Sequence, residues 1–463
     1  MLRKDMQGVI GVYSKRNVAL KALYTLYGVQ HRGQESAGIT LAGDLSLRTI
    51  KGRGLISNIF DERYMKTADS DKYVAVGCAS GESSEGELAP LYLSSGKYRI
   101  SLTLDGYIPN RGSRTNEEAF GACMVAKLRS NGVKTALAET MKELKNAYYS
   151  LVVAVHDVEA NRSSLMAARD PRGVRPLYLA EGEEELFVTS ESAPIDVLEN
   201  MGEIIGKRRD FKPGSMITMD DEGLTERQVL EPRPAHCVFE WVYFGRPDSV
   251  IEGRSVHEVR KNLGHALVEM HGLRKLYATE KGPRKDMVVI PVPDSGRSVC
   301  TGVAEALGQP ADEGVIKNAY LGRTYIIDDP AFRKIASDLK HNIIRETVRG
   351  KKVIITDDSV VRGTVSESVA KNLRIAGATE VEFLVSYAPI FYPCFSDPPD
   401  KPLAAAPFQG MGLEEVSDRV AEKLPSINKV RYNSPENIVA SIGLPRSSIC
   451  TMCISGVNPF EEK

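Results

Sequence analysis

Tryptophan occurs once in 463 residues, cysteine and histidine seven times each, and neither sign of charge prevails: 60 Lys plus Arg face 61 Asp plus Glu, a formal net charge of -1. Without a basic excess the chain has no general field for drawing in nucleic acid or an anionic membrane surface, so neither is expected as a partner. The opening Met1 to Met6 lacks the apolar middle of a secretory leader. The longest apolar runs, such as Met287 to Val292, have the length of strands rather than of membrane spans. Cysteines this few and odd in number do not make a disulfide scaffold, which points to a reducing compartment and a cytoplasmic protein. What is present, 42% hydrophobic and 26% charged residues, is ordinary for a globular chain long enough for two or three domains.

From Gly8 to about Leu230 short apolar runs alternate with Gly, Asp and Asn, as in Tyr149 to Val155 and Leu186 to Thr189, and predict a sheet-rich unit. Helical spacing over Asn17 to Tyr27 and Glu117 to Leu128 adds a few helices. Glu231-Pro232-Arg233-Pro234 breaks both patterns and sets a boundary between domains at 1–230 and 231–463. The second half alternates strands (Met287 to Pro293, Lys352 to Thr356, Val381 to Tyr387) with helices (Ser298 to Leu307, Thr364 to Ile375) closed by Gly308 and Gly377. That order predicts a parallel sheet with helices on its faces. The Pro-rich stretch Pro393 to Pro407 reads as a surface loop.

The strand Val353 to Thr356 runs into Asp357-Asp358-Ser359-Val360-Val361-Arg362-Gly363-Thr364 and then a helix. A turn of small and hydroxyl residues at a helix amino terminus suits a phosphate, because the unpaired amides and the dipole both favour an anion. Two adjacent carboxylates would repel that phosphate and are better used as acceptors for a pair of sugar hydroxyls, directly or with Mg²⁺ nearby. The string resembles the phosphoribosyl pyrophosphate (PRPP) loop of type I phosphoribosyltransferases. Further strings narrow the resemblance to the glutamine PRPP amidotransferase family of purine biosynthesis: FEWVYFGRPDS from Phe239, VIPVPDSGR from Val289, KNAYLGRT from Lys317, GVIGVY from Gly8, QHRGQESAG from Gln30, RDPRGVRPL from Arg169 and SESA from Ser190.

The resemblance implies a mixed α/β and α+β protein: an Ntn-hydrolase-like αββα sandwich, then a type I phosphoribosyltransferase domain with a parallel sheet. By the same resemblance Asp357 and Asp358 hold the ribose hydroxyls and Mg²⁺. Ser359, Val360, Val361, Arg362, Gly363 and Thr364 form the 5-phosphate loop, and Asp294, Ser295 and Gly296 the pyrophosphate loop. Arg323, Arg333, Lys340 and Asn342 fall in a segment that closes over PRPP, with Arg323 and Lys340 as its catalytic cations, stabilising the leaving pyrophosphate. Ala319, Asp328, His341 and Ser396-Asp397-Pro398-Pro399 depart from the family pattern.

The glutaminase half departs further. An amino-terminal Cys is the family's nucleophile, with its own α-amine as base; here Gln7 stands in its place, and no Cys precedes Cys78. The substrate-carboxylate Arg aligns with Ser80, the oxyanion element Asn-Gly-Asn reads Asp105-Gly106-Tyr107, and the ammonium-binding Asp aligns with Asn116. Nucleophile, clamp, oxyanion donor and ammonium anchor are lost together, which implies a dead glutaminase. Cys78, placed at a strand end beside Glu82, is expected to be a small buried hydrophobe rather than a substitute nucleophile.

Cys450-Thr451-Met452-Cys453 alone is a weak metal signal. In one branch of the family, positions matching Cys237, Cys394, Cys450 and Cys453 carry a [4Fe-4S] cluster, and Cys₄ zinc or unliganded thiols are the alternatives. The resulting expectation is an enzyme that makes 5-phosphoribosylamine from PRPP and ammonia, either free or delivered by a separate glutaminase. It is expected to be regulated by purine nucleotides, as a homotetramer or a mixed oligomer with an active homologue. The alternative is a non-catalytic PRPP- or nucleotide-binding regulatory paralogue.

Overall fold

The computed structural model describes residues 6–61, 71–81, 87–203, 205–279, 282–318, 340–394 and 402–461. The first half includes strands Gln7–Tyr13 (β1), Lys72–Ser80 (β2), Tyr98–Tyr107 (β3), Tyr148–Asp157 (β4) and Glu185–Thr189 (β5). Its helices include Val18–Gly28 (α1), Asn116–Leu128 (α2), Val133–Glu143 (α3) and Ala193–Asn200 (α4). β1 lies between β2 and β5 in a seven-stranded antiparallel sheet, while β3 and β4 are neighbours in a six-stranded one. β1 is buried along its whole length, as a strand covered on both faces must be.

Val9, Val76 and Cys78 of the first sheet meet Val152, Ala154 and Leu165 of the second. On the outer faces, Ile10 and Val12 pack under Leu23 and Ile195, and Leu102 and Leu104 under Phe120 and Leu137. Helix, sheet, sheet and helix follow in that order, the αββα sandwich implied by the resemblance. The sheets approach so closely at Gly11 that a Cβ there would stand 2.5 Å from Val152 Cγ1.

In the second half, His236–Cys237 (β6), Met287–Pro291 (β7), Val315–Lys317 (β8), His341–Ile343 (β9), Lys352–Asp357 (β10), Glu380–Val385 (β11), Lys429–Tyr432 (β12) and Ile449–Cys450 (β13) accompany helices Val256–Met270 (α5), Arg297–Leu307 (α6) and Thr364–Ile375 (α7). β7, β10, β11 and β12 form a parallel sheet in that order. Alternation puts Ile354 against Val299 and Val303 of α6, and Val353 and Ile355 against Val369 and Leu373 of α7, so both faces are covered. Gly308 and Gly377 adopt φ of 67° and 102° after α6 and α7, the left-handed stops expected of them.

Three expectations need correction. β7 ends at Pro291 rather than Pro293, although the Val292 amide still bonds the Thr356 carbonyl at 2.9 Å. β11 ends at Val385 rather than Tyr387, because its partner β10 ends at Asp357; the amides of Ser386 and Tyr387 bond the carbonyls of Asp357 and Asp358, each at 3.0 Å. The Pro393 to Pro407 stretch is not wholly a surface loop. Leu403 and Ala405 are buried, and the Ala404 amide donates to the Val361 carbonyl at 2.9 Å; residues 395–401 lie outside the described residues. An apolar Leu-Ala-Ala-Ala run between the prolines supplies core filling that composition concealed. Among the described residues no helix is long and apolar enough to cross a membrane.

Candidate functional site

β10 delivers its acidic doublet to the carboxyl end of the parallel sheet, the edge at which open α/β sheets take ligands. Asp357 and Asp358 are both buried. Asp357 Oδ1 accepts from Ser295 Oγ at 3.2 Å and from the Asp358 amide at 2.9 Å, and Asp358 Oδ2 accepts from Ser359 Oγ at 2.5 Å. Burial, and then the neighbouring Asp358, push the Asp357 carboxyl well above the usual carboxylate range. Two hydroxyl donors or a divalent cation against the pair would relieve that penalty, so the donor set fits a sugar diol with Mg²⁺.

Asp294, Ser295 and Gly296, expected from the resemblance to line pyrophosphate, sit beside the doublet. Gly296 leads into α6, and its carbonyl accepts from Thr356 Oγ1 at 3.1 Å. A Cβ at Gly296 would lie 2.3 Å from the Thr356 carbonyl oxygen, so this approach requires glycine. Asp294 is exposed and ion-paired to Lys317 Nζ at 2.7 Å. Beyond the doublet, Val360 is buried in the core and leaves only its main chain for a ligand, while half-buried Val361 is held by Ala404. Arg362 is half-buried, and Gly363 takes φ 80° immediately before α7, whose first residue Thr364 is exposed. Lys340 is half-buried, and its carbonyl accepts from the Asn318 amide at 2.9 Å. His341 pairs with Lys317 across β8 and β9; burial, then Lys340 and Lys317, push its imidazole down to about 4. Asn342 is exposed; Arg323 and Arg333, with Ala319 and Asp328, lie outside the described residues.

Gln7, Ser80, Asp105 and Asn116, expected from the resemblance to mark a changed glutaminase site, also come together. Gln7 pairs with Ser80 across β1 and β2, and its amide donates to Asp105 Oδ1 at 3.3 Å. Its side-chain Nε2 donates to Glu117 at 2.7 Å, and its Oε1 accepts from Thr103 at 3.4 Å. Asn116 closes on its own chain, donating to the Gly106 carbonyl at 3.1 Å and accepting from the Ile108 amide at 2.9 Å. Asp105 faces Arg32 at 3.4 Å and Arg175 at 3.3 Å. Both guanidiniums also pair with Glu240, at 3.0 and 3.1 Å, and Arg32 with Glu191 at 2.6 Å. Burial works to raise the Glu191 carboxyl, but His31 and Arg32 hold it far below its usual range. The result is a buried charge cluster joining both halves of the chain. Glu117, Thr103, Arg175 and Glu240 were missed as members; charged residues within apolar strings such as FEWVYF were the available signal. Cys78 lies within β2 opposite Val9, not at a strand end, and burial pushes its thiol up to about 12, against use as a nucleophile.

The cysteines gather at the seam. Cys237 and Cys450 are register partners in the parallel pair of β6 and β13. The Cys453 carbonyl accepts the amides of Phe391 and Tyr392 at 3.0 and 3.1 Å, which brings in the strand of chain leading to Cys394. Burial raises the Cys453 thiol, and so do Cys237, Cys450 and Cys394, so all four sulfurs share one locality. Among the described residues no group of three or more His, Cys, Asp or Glu is arranged to hold a metal ion.

No model of a protein family matches the chain. Among curated proteins, the amidophosphoribosyltransferase of Methanothermobacter thermautotrophicus is 33% identical over 98% of this chain and 95% of its own length. That of Methanocaldococcus jannaschii is 30% identical over 98% of both. Among solved structures, the allosteric regulatory enzyme of purine biosynthesis superposes with a TM-score of 0.80 at 29% identity, covering 98% of this chain and 96% of that one. The Bacillus subtilis glutamine PRPP amidotransferase in complex with ADP and GMP gives 0.79 at 28%, covering 98% and 97%. Similar along nearly its whole length to such relatives, the chain belongs to the amidophosphoribosyltransferase family.

Proposed function

We propose that the protein forms 5-phosphoribosylamine from PRPP and ammonia. The observation that carries this reading is the joining of the two ligand loops at the sheet edge, with Ser295 Oγ 3.2 Å from Asp357 Oδ1. Ammonia nitrogen bonds to the anomeric carbon as the carbon–oxygen bond to pyrophosphate breaks. Pyrophosphate leaves with the electron pair, and the nitrogen gives up a proton to solvent. Asp357 and Asp358 orient the ribose through its hydroxyls, Ser359 to Thr364 fix the 5-phosphate, and Asp294 to Gly296 line the leaving-group side. Mg²⁺, held at the doublet with the substrate, would offset charge on the departing pyrophosphate. Residues 1–230 serve as a retained scaffold, since Gln7 offers no nucleophile and Asp105 no oxyanion donor.

Pyrophosphate release from PRPP and Mg²⁺ is expected with ammonium at alkaline pH and not with glutamine. Release driven by glutamine would refute the dead glutaminase. Release with neither nitrogen source would favour a non-catalytic PRPP- or nucleotide-binding partner, acting alone or in a mixed oligomer with an active homologue or a separate glutaminase. Purine nucleotides are the regulators we propose, because the B. subtilis relative was solved with ADP and GMP.

Cys237, Cys394, Cys450 and Cys453 are proposed to hold a [4Fe-4S] cluster of structural role, in a cytoplasmic setting that keeps the remaining thiols reduced. Anaerobically purified protein is then brown, with iron–sulfur absorbance that Cys450→Ser removes. A colourless preparation containing zinc and no iron would give the site to Zn²⁺.

A further inference from the structure

β11 hands the chain to a buried serine that grips the back of the turn after β10. Ser386 has no exposed surface and uses all three of its polar groups there. Its amide donates to the Asp357 carbonyl at 3.0 Å, its Oγ to the Asp358 carbonyl at 3.2 Å, and its own carbonyl accepts from Asn433 Nδ2 at 3.2 Å. The Tyr387 amide reaches the Asp358 carbonyl as well, at 3.0 Å, so both lone pairs of that oxygen are occupied. Asn433, equally buried, is held in turn. Its Nδ2 also donates to the Leu263 carbonyl of α5 at 3.1 Å, its Oδ1 accepts from Asn437 Nδ2 at 3.0 Å, and its amide is shared between the Val385 and Tyr387 carbonyls at 3.2 Å each. A trans peptide points its N–H opposite to its C=O, so fixing the Asp358 carbonyl against Ser386 turns the Ser359 amide the other way. The Val361 carbonyl is likewise tied to the Ala404 amide at 2.9 Å, which turns the Arg362 amide away from Ala404. Carbonyls held back and amides turned out are what a main-chain anion cradle requires.

We propose that Ser386 is a positioning residue for the 5-phosphate of PRPP: its hydroxyl, braced by Asn433, completes the hold on the Asp358 carbonyl and so aims the Ser359 amide at the ligand. The inference rests on the reading of Ser359 to Thr364 as the 5-phosphate loop, and it names a residue outside that loop that shapes it. An amide already fixed in place loses no orientational freedom when the anion arrives, whereas a peptide held at one point can still rock. The hydroxyl acts on one peptide plane, so its effect belongs to the phosphate end of the substrate. Gly296, on the leaving-group side, is held by a different bond, from Thr356 Oγ1 to its carbonyl.

Full-length Ser386→Ala and Ser386→Thr test it, the second keeping the hydroxyl. Calorimetry is expected to show affinity for Mg-PRPP and for ribose 5-phosphate reduced about five- to tenfold in Ser386→Ala and mostly regained in Ser386→Thr. Affinity for Mg-pyrophosphate, which carries no 5-phosphate, is expected to stay at the parent value. A general loosening of the sheet edge would weaken all three ligands alike, so equal losses would overturn the proposal. Parent-like PRPP affinity in Ser386→Ala would overturn it too, as would a Ser386→Thr protein that folds like the parent yet binds as weakly as Ser386→Ala. If the parent takes up no pyrophosphate, the comparison of Ser386→Thr with Ser386→Ala decides alone. If Ser386→Thr does not fold, Asn433→Ser replaces it, leaving the hydroxyl in place but releasing the Ser386 carbonyl. The same preferential loss of the phosphate-bearing sugars is then expected, and a loss shared with pyrophosphate, or none, ends the proposal. A parent that takes up neither PRPP nor ribose 5-phosphate would instead refute the reading of the turn itself, and the proposal with it.

Discussion

Changing Asp357 and Asp358 together to asparagine is expected to abolish Mg-PRPP uptake, a loss of at least about 100-fold in affinity by calorimetry. The amides keep the shape of the doublet but cannot accept from a sugar diol with charge-assisted strength or attract a divalent cation. The same variant is expected to melt higher than the parent without ligand at pH 7. Burial and Asp358 raise the Asp357 carboxyl, so the folded state holds its proton more tightly than the unfolded chain does. A carboxyl shifted upward detracts from stability above its unfolded value, and removing it removes that deficit. Undiminished uptake by the folded variant would mean that PRPP binds elsewhere.

Arg32→Met should be the most destabilising substitution in the first half, by about 3–5 kcal/mol in urea unfolding at pH 7. It leaves Asp105, Glu191 and Glu240 buried with Arg175 as the remaining guanidinium among the cluster's pairs. The pH dependence has a defined sign. The folded Glu191 carboxyl is depressed, so its contribution is complete above the unfolded value of about 4.3 and is lost as pH falls below it. The parent should therefore weaken in acid faster than Arg32→Met. Adding Asp105→Asn to Arg32→Met should restore part of the loss by removing one uncompensated anion. A midpoint for Arg32→Met matching the parent would show that the cluster adds nothing to stability.

Much of this architecture could be read along the chain because it is local. The β10-to-α7 turn was legible since strand, doublet, Gly363 and helix are contiguous, and the pattern of Val353, Ile354 and Ile355 reports a strand covered on both faces. Gln7, Ser80, Asp105 and Asn116 could be named from the strings that hold them, but the buried charge cluster that Asp105 joins could not. Arg32 and Glu240 are 208 residues apart, and no periodicity links a charge in one half to its counterion in the other. Cys78 was misplaced for a related reason: β2 runs on to Ser80, and only its pairing with β1 shows where the strand stops. The turn at Ser386 and Tyr387 escaped notice because an apolar run continues through it, while its amides serve the neighbouring strand.

The pairing of β6 with β13 bears on how the protein is made. Val238, Trp241 and Val242 share an apolar cluster with Ile449 and Ile454, so this seam stays uncovered on the ribosome until the last of these has emerged. A nascent chain halted short of Cys450 should therefore be sticky at its waist, attracting chaperones there while its sandwich is already complete.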